Sequence, residues 1–124
     1  MYEISKDFHF SAAHQLLGLA PGHKCANPHG HNYICRVTIR TDILDELGFV
    51  LDYGDLAPLK HFIDTQLDHQ DLNEVFGNDQ GAPNQTSAEN LAKYIYDKCR
   101  VWWPVYSVSI SETLKTWATY YGVA

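Results

Sequence analysis

Two stretches of alternating apolar and polar residues, 2–17 and 32–41, commit this chain to a pair of strands, and three histidines stand where that pair would close. Phe8, Phe10 and Ala12 fall on one side of the first stretch, and Tyr33, Cys35, Val37 and Ile39 on one side of the second. That is the period of two expected of a half-buried strand. Gly18, Pro21, Gly22 and Pro28 make the piece between them a loop. His14 lies near the end of the first stretch, and His29-Gly30-His31 opens the second. The same period puts His29 and His31 on one face, and His14, on the antiparallel partner, can reach that spot from the side.

Imidazole is the commonest protein ligand for zinc. The spacing therefore predicts a metal centre built from His14, His29 and His31, with zinc ahead of iron or nickel on ligand type. Three protein ligands leave one coordination position open, which is the pattern of a catalytic rather than a structural zinc. Cys25 has two functional readings. It is a fourth ligand that closes a structural site, or a free thiol beside the metal, activated as thiolate by the cation and by His23 and Lys24. Cys35 and Cys99 read as small buried residues, one in a strand and one on a helix face.

From residue 55 the period changes. Leu56, Leu59, Ile63 and Leu67 recur at helical spacing, with Asp55 as the expected N-cap and Pro58 confined to the first turn. That helix should end near Asp68-His69. After a loop over 77–84, Thr86-Ser87-Ala88-Glu89 reads as a capping box that opens a second helix, burying Ala88, Leu91, Ala92, Ile95 and Cys99. Pro104 interrupts, and strands are expected over 105–111 and 115–121. The order strand, strand, helix, helix, strand, strand indicates one α+β domain over residues 1–124, an antiparallel sheet with both helices on one face. Trp117, Tyr120 and Tyr121 suggest that the other face is apolar enough to need cover, which oligomerisation would supply.

A length of 124 residues suits one core rather than two. The formal charge of -6 argues against non-specific nucleic-acid binding. No apolar run approaches the roughly 20 residues of a membrane helix, and the first residues do not resemble a signal peptide. Three cysteines leave one unpaired in any disulfide scheme. The expectation is a cytoplasmic protein with reduced thiols and neither nucleic-acid nor membrane partners. Two further groups are ambiguous taken singly. Asp68-His69 at a helix end reads equally as capping, and Glu112, the one charge near the end of its strand, reads as a solvated carboxylate.

Taken together, Phe10-Ser11-Ala12-Ala13-His14, Cys25-x3-His29-Gly30-His31, Leu67-Asp68-His69, Ser87-Ala88-Glu89-Asn90 and Glu112-Thr113 resemble the 6-pyruvoyl-tetrahydropterin synthase superfamily in residue and order. The resemblance runs from about Tyr2 to Tyr121. The three-residue gap after Cys25 is similar to that of the bacterial 6-carboxytetrahydropterin synthases of queuosine biosynthesis. The resemblance implies the tunnelling fold, four antiparallel strands and two helices per chain, assembled as two stacked trimers with active sites between subunits. It implies zinc on His14, His29 and His31, Cys25 as general base, and Asp68 and His69 completing a catalytic triad. Glu112 would anchor a pterin, with Ser87 a further substrate contact and His23 and Lys24 facing phosphate. The implied substrate is 7,8-dihydroneopterin triphosphate, and the implied products are 6-carboxy-5,6,7,8-tetrahydropterin, acetaldehyde and triphosphate. The alternatives are a 6-pyruvoyl-tetrahydropterin synthase and a non-catalytic, zinc-stabilised assembly module. A zinc hydrolase is disfavoured by the lack of a His-Glu-x-x-His helix. The chain departs from the family in having Gln85 where Pro often precedes Thr86, and in a loop, Asn78 to Asn84, that looks longer than usual.

Overall fold

The computed structural model describes residues 1–77 and 85–122; the long loop 78–84 lies outside them. β1 (Tyr2–His14) and β2 (His29–Thr41) pair antiparallel along their full length, from Tyr2 opposite Thr41 to His14 opposite His29. The pairing follows the alternation: Phe8, Phe10 and Ala12 turn inward beside Tyr33, Cys35, Val37 and Ile39, all buried. The connecting loop carries one short 3-10 turn, Lys24–Ala26.

α1 (Ala57–Gln66) is preceded by a 3-10 turn, Tyr53–Leu56, and its cap differs from expectation. Asp52, not Asp55, supplies the side-chain acceptor, taking the Gly54 N–H at 2.8 Å. The 3-10 turn absorbs Asp55, so Leu56 is the N-cap residue of α1, without a side-chain cap, and Pro58 lies in the first turn. β3 (Gln70–Asp71) then adds parallel to Ala12 and Ala13, and α2 (Leu72–Val75) follows. The sheet is therefore five-stranded and mixed, in the order β3-β1-β2-β4-β5, and there are three helices among the described residues rather than two. A two-residue strand and a single helical turn are too short to leave a periodic signal.

α3 (Ala88–Cys99) begins one residue later than the capping box suggests. Ser87 is the cap, accepting the Asn90 N–H at 3.2 Å, while the Thr86 hydroxyl donates instead to the Gln15 carbonyl at 3.3 Å. β4 (Val105–Ser111) and β5 (Ala118–Tyr121) complete the sheet. A register shift opposite Thr38 and Ile39 pairs Val105 with Ile39 and skips Tyr106. Such a bulge breaks simple alternation, and it lets Val105 join Val108 and Ile110 in the core.

Leu59, Ile63, Leu91, Ile95 and Cys99 cover the inner sheet face. Truncating one of these leucines to alanine would cost about 2–5 kcal/mol. The outer face is less apolar than expected. Tyr120 lies inside, its ring 5.1 Å from that of Tyr96. Trp117 and Tyr106 are capped by the guanidinium groups of Arg36 and Arg40 at 4.5 and 3.7 Å. Arg36 and Arg40 are themselves paired with Asp7 and Glu3. All three cysteines are free, and no helix among the described residues is long and apolar enough to cross a membrane.

Candidate active site

The full-length register of β1 and β2 sets His14 directly across from His29, with His31 one pleat away opposite Ala12. The three rings stand edge-on to one another at centroid separations of 4.5, 5.0 and 4.8 Å. Each offers a nitrogen, and these atoms all lie within 4.8 Å of one another. Cys25 is not among the donors so gathered.

Second nitrogens decide what the first ones can do. His14 Nδ1 lies 2.7 Å from the Thr86 carbonyl, and His29 Nδ1 lies 2.7 Å from the Asn27 carbonyl. A carbonyl only accepts, so both Nδ1 atoms carry the proton and both Nε2 atoms keep a lone pair. Those two Nε2 atoms face each other at 3.0 Å. Two donors on one tetrahedral ion would stand about 3.4 Å apart. Two lone pairs aimed together repel unless a cation or a proton lies between them, and carbonyl-anchored imidazoles are the usual outer support of a metal ligand. The donor set thus fits a metal ion.

Burial depresses the pKa of His14, which is 2% exposed. The Thr86 carbonyl and Glu112 act in the opposite direction but do not prevail. Burial lowers His31 as well, again against Glu112, whose carboxylate stands 3.9 Å from His31 Nε2. Both rings are held in the neutral form that binds metal.

The backbone that follows His14 is held by two side-chain amides that sequence reading missed. Asn73 accepts the Gln15 N–H at 2.8 Å and donates to the Gln15 carbonyl at 2.9 Å. Gln85 accepts the Leu17 N–H at 2.9 Å and donates to the Leu17 carbonyl at 2.6 Å. Each amide supplies a donor and an acceptor to one residue, as a neighbouring strand would. A Gln where Pro is common was the available signal.

Asp68 and His69 stand at the start of β3 and are locked onto β1. One Asp68 carboxylate oxygen accepts the Ser11 N–H at 2.9 Å and lies 3.0 Å from His69 Nδ1. The Ser11 amide, with His69 second, holds the Asp68 carboxyl below the usual carboxylate range. His69 donates its own backbone N–H to the Ser11 carbonyl and adopts φ 61°, a left-handed conformation uncommon for a residue with a side chain. Its imidazole is largely exposed. His69 shares an open cleft of about 500 Å³ with His31, Ser11, Asn32 and Asp71.

The structure does not bring every expected group together. Cys25 sits on the 24–26 turn, its carbonyl accepting Leu16 N–H at 3.0 Å, and does not line the cleft of His69. His23 accepts the Cys25 N–H through Nδ1 at 3.1 Å, and Lys24 stands between them on the turn. Ser87 has its hydroxyl engaged as the α3 cap. Glu112 lines a separate hollow of about 320 Å³ with Glu89, Thr116 and Trp117. Burial and Glu112 both raise the Tyr33 phenol. Its hydroxyl is the one buried side-chain polar atom without a partner among the described residues. The thiols of Cys35 and Cys99 are raised by burial, Cys99 to about 12, so neither is a reactive thiolate.

Comparison with known proteins places this geometry. The sequence matches the family model of 6-pyruvoyl tetrahydropterin synthase over residues 3–123. It is 35% identical over 130 residues to the 6-carboxy-5,6,7,8-tetrahydropterin synthase of Synechocystis sp. (strain ATCC 27184 / PCC 6803 / Kazusa), covering 98% of this chain and 94% of that one. Identity to the 6-carboxy-5,6,7,8-tetrahydropterin synthase of Bacillus subtilis (strain 168) is 36% over 103 residues, covering 82% and 67%. The solved 6-pyruvoyl tetrahydropterin synthase of Caenorhabditis elegans superposes with a TM-score of 0.82 at 28% identity, covering 98% and 96%. With sequence and fold matched along nearly the whole chain, the protein belongs to the 6-pyruvoyl tetrahydropterin synthase family and is a synthase of the tetrahydropterin type on the tunnelling fold.

Proposed function

We propose that this protein is a zinc-dependent 6-carboxytetrahydropterin synthase of queuosine biosynthesis, acting in the cytoplasm. It would convert 7,8-dihydroneopterin triphosphate and water to 6-carboxy-5,6,7,8-tetrahydropterin, acetaldehyde and triphosphate. The observation that carries this reading is the convergence of His14, His29 and His31, with two Nε2 lone pairs facing at 3.0 Å. The relatives named for the carboxy product support the choice of reaction.

His14, His29 and His31 would hold zinc, which supplies Lewis acidity toward the side-chain oxygens of the substrate as charge builds on them. Glu112 accepts the ring N–H and the exocyclic amino group of the pterin, a bidentate, charge-assisted contact that fixes the ring. Cys25, as thiolate, takes the proton from the carbon next to the ring. His69, oriented through Nδ1 by Asp68, moves a proton between the substrate and bulk water. Lys24 offers the positive charge for the triphosphate.

Cys25 does not line the cleft of His69 within one chain, which supports a site completed by a neighbouring subunit. β3 covers only Ala12 and Ala13 on the outer side of β1. With Ser11 taken by Asp68 and His69, residues 2–10 of that strand present an open edge, which a second chain can extend. A homohexamer of two stacked trimers is the proposed assembly, with neither nucleic acid nor membrane as partner.

Product analysis with zinc-loaded protein and 7,8-dihydroneopterin triphosphate tests the reading. Acetaldehyde equimolar with 6-carboxytetrahydropterin is expected. Triphosphate release without acetaldehyde would establish a 6-pyruvoyl-tetrahydropterin synthase instead. Retained zinc without turnover would establish an assembly module.

A further inference from the structure

Gln85 sits just outside the metal-binding set, yet its amide pairs with both backbone groups of Leu17, at 2.9 and 2.6 Å. The residue after Gln85 supplies the carbonyl that accepts His14 Nδ1–H at 2.7 Å. The residue after His14 is pinned in the same way by Asn73. The Thr86 hydroxyl closes the set by donating to the Gln15 carbonyl at 3.3 Å. Two segments far apart in sequence, 14–17 and 85–86, are thereby held in one register, and that register aims the Thr86 carbonyl at His14.

We propose that Gln85 is a positioning residue of the metal centre: its amide clamps Leu17 so that the Thr86 carbonyl fixes the tautomer and direction of His14. The proposal rests on the reading of His14 as a metal ligand. The physical chain is short. The carbonyl keeps the proton on Nδ1, the Nε2 lone pair is left for the ion, and the hydrogen bond raises the basicity of the ring. Without the clamp, the segment keeps the Thr86 hydroxyl on the Gln15 carbonyl and the Asn90 amide on the Gln85 carbonyl at 3.0 Å, but loses its tie to Leu17. His14 would then be free to rotate or to exchange its tautomer. Loss of such outer support costs a metal site about 10–100-fold in affinity.

The test measures zinc affinity by competition with a chromophoric chelator on the full chain, for the wild type and for Gln85→Ala, Gln85→Glu and His14→Ala. Gln85→Ala should bind zinc at least about tenfold more weakly, with a faster release rate. Gln85→Glu should be weaker still. It keeps the acceptor for the Leu17 N–H but turns a carboxylate oxygen onto the Leu17 carbonyl. General electrostatics predicts the reverse, because an added negative charge near a cation site strengthens binding. A zinc affinity of Gln85→Ala within twofold of wild type, or a tighter Gln85→Glu, overturns the proposal. Thermal unfolding of the metal-free forms shows whether each variant is folded. Should Gln85→Ala be unfolded, Gln85→Glu carries the same test through its zinc release, and a rate no faster than that of the wild type overturns the proposal. If the wild type itself binds no zinc that His14→Ala abolishes, the metal reading has failed rather than the clamp.

Discussion

Nε2 of His14 faces Nε2 of His29 across 3.0 Å, each ring already committed through Nδ1 to a backbone carbonyl. Neither ring can turn its lone pair away without giving up that carbonyl. The strand pairing therefore builds a site that fits a shared cation.

That relationship sets the pH behaviour of metal binding. Burial lowers His14 below its ordinary 6.5, and His31 likewise. A group with a depressed folded pKa leaves the unfolded chain taking up more protons between the two values, so stability rises with pH there. The contribution is complete above 6.5 and declines as pH falls below it toward the lowered folded values. Zinc binding, which needs neutral imidazoles, should persist to more acid pH than a free imidazole would allow. The expected half-loss of bound zinc lies below pH 6.5, read by chelator competition across pH 5 to 8. His29→Ala should lose stoichiometric zinc at every pH.

Asp68 contacts His69 and is not among the donors of the three-histidine cluster. Asp68→Asn can keep the Ser11 N–H bond but removes the negative charge beside His69 Nδ1. Turnover should fall by about 10²-fold, with KM changed less than about threefold and zinc content unchanged. Loss of zinc in this variant would show that the acid serves the ligand cluster instead.

Cys25 should be the one thiol that reacts with iodoacetamide in the native protein, since Cys35 and Cys99 are fully buried. Cys25→Ala should bind zinc like the wild type and lose turnover. A cobalt-substituted wild type should lack thiolate charge-transfer absorption. Its presence would mean that the sulfur is a ligand.

Glu112→Gln should weaken pterin binding. A hydrogen bond to a charged group is worth about 1.5–3 kcal/mol, which corresponds to an increase of about 10–150-fold in KM. Zinc content should be unaffected, because Glu112 is not one of the three donors gathered at the centre. Isothermal titration with a dihydropterin separates this loss from any change in chemistry.

Gly122 bears on stability alone. A methyl group there would overlap the side chain of Tyr96, which is itself 9% exposed. Gly122→Ala should destabilise the fold by about 1–3 kcal/mol through forced repacking, measured by urea unfolding, with zinc affinity of the folded protein unchanged.

Several parts of the site were legible from residues alone because they depend on local period. Alternation placed His29 and His31 on one face and set the inward row of Tyr33, Cys35, Val37 and Ile39. Helical spacing placed Leu91, Ala92, Ile95 and Cys99 on the buried face of α3. These patterns follow from backbone geometry that each segment carries by itself.

What escaped were choices between competing partners. Asp52 caps the 3-10 turn before α1 where Asp55 was expected to cap the helix, and Ser87 rather than Thr86 caps α3, because a cap is decided by which oxygen the folded chain leaves free. β3 is held in place by Asp68 and His69 on Ser11, a long-range contact that no local pattern announces. The chain alone determined which residue types could bind a metal and the face on which they lie. Tertiary structure decided the proton on His14, by bringing the distant carbonyl of Thr86 to its Nδ1. It also left Cys25 out of the cleft that His69 lines within one chain. The reason is physical: side-chain direction repeats with the backbone, whereas hydrogen-bond partners are fixed only when distant segments meet.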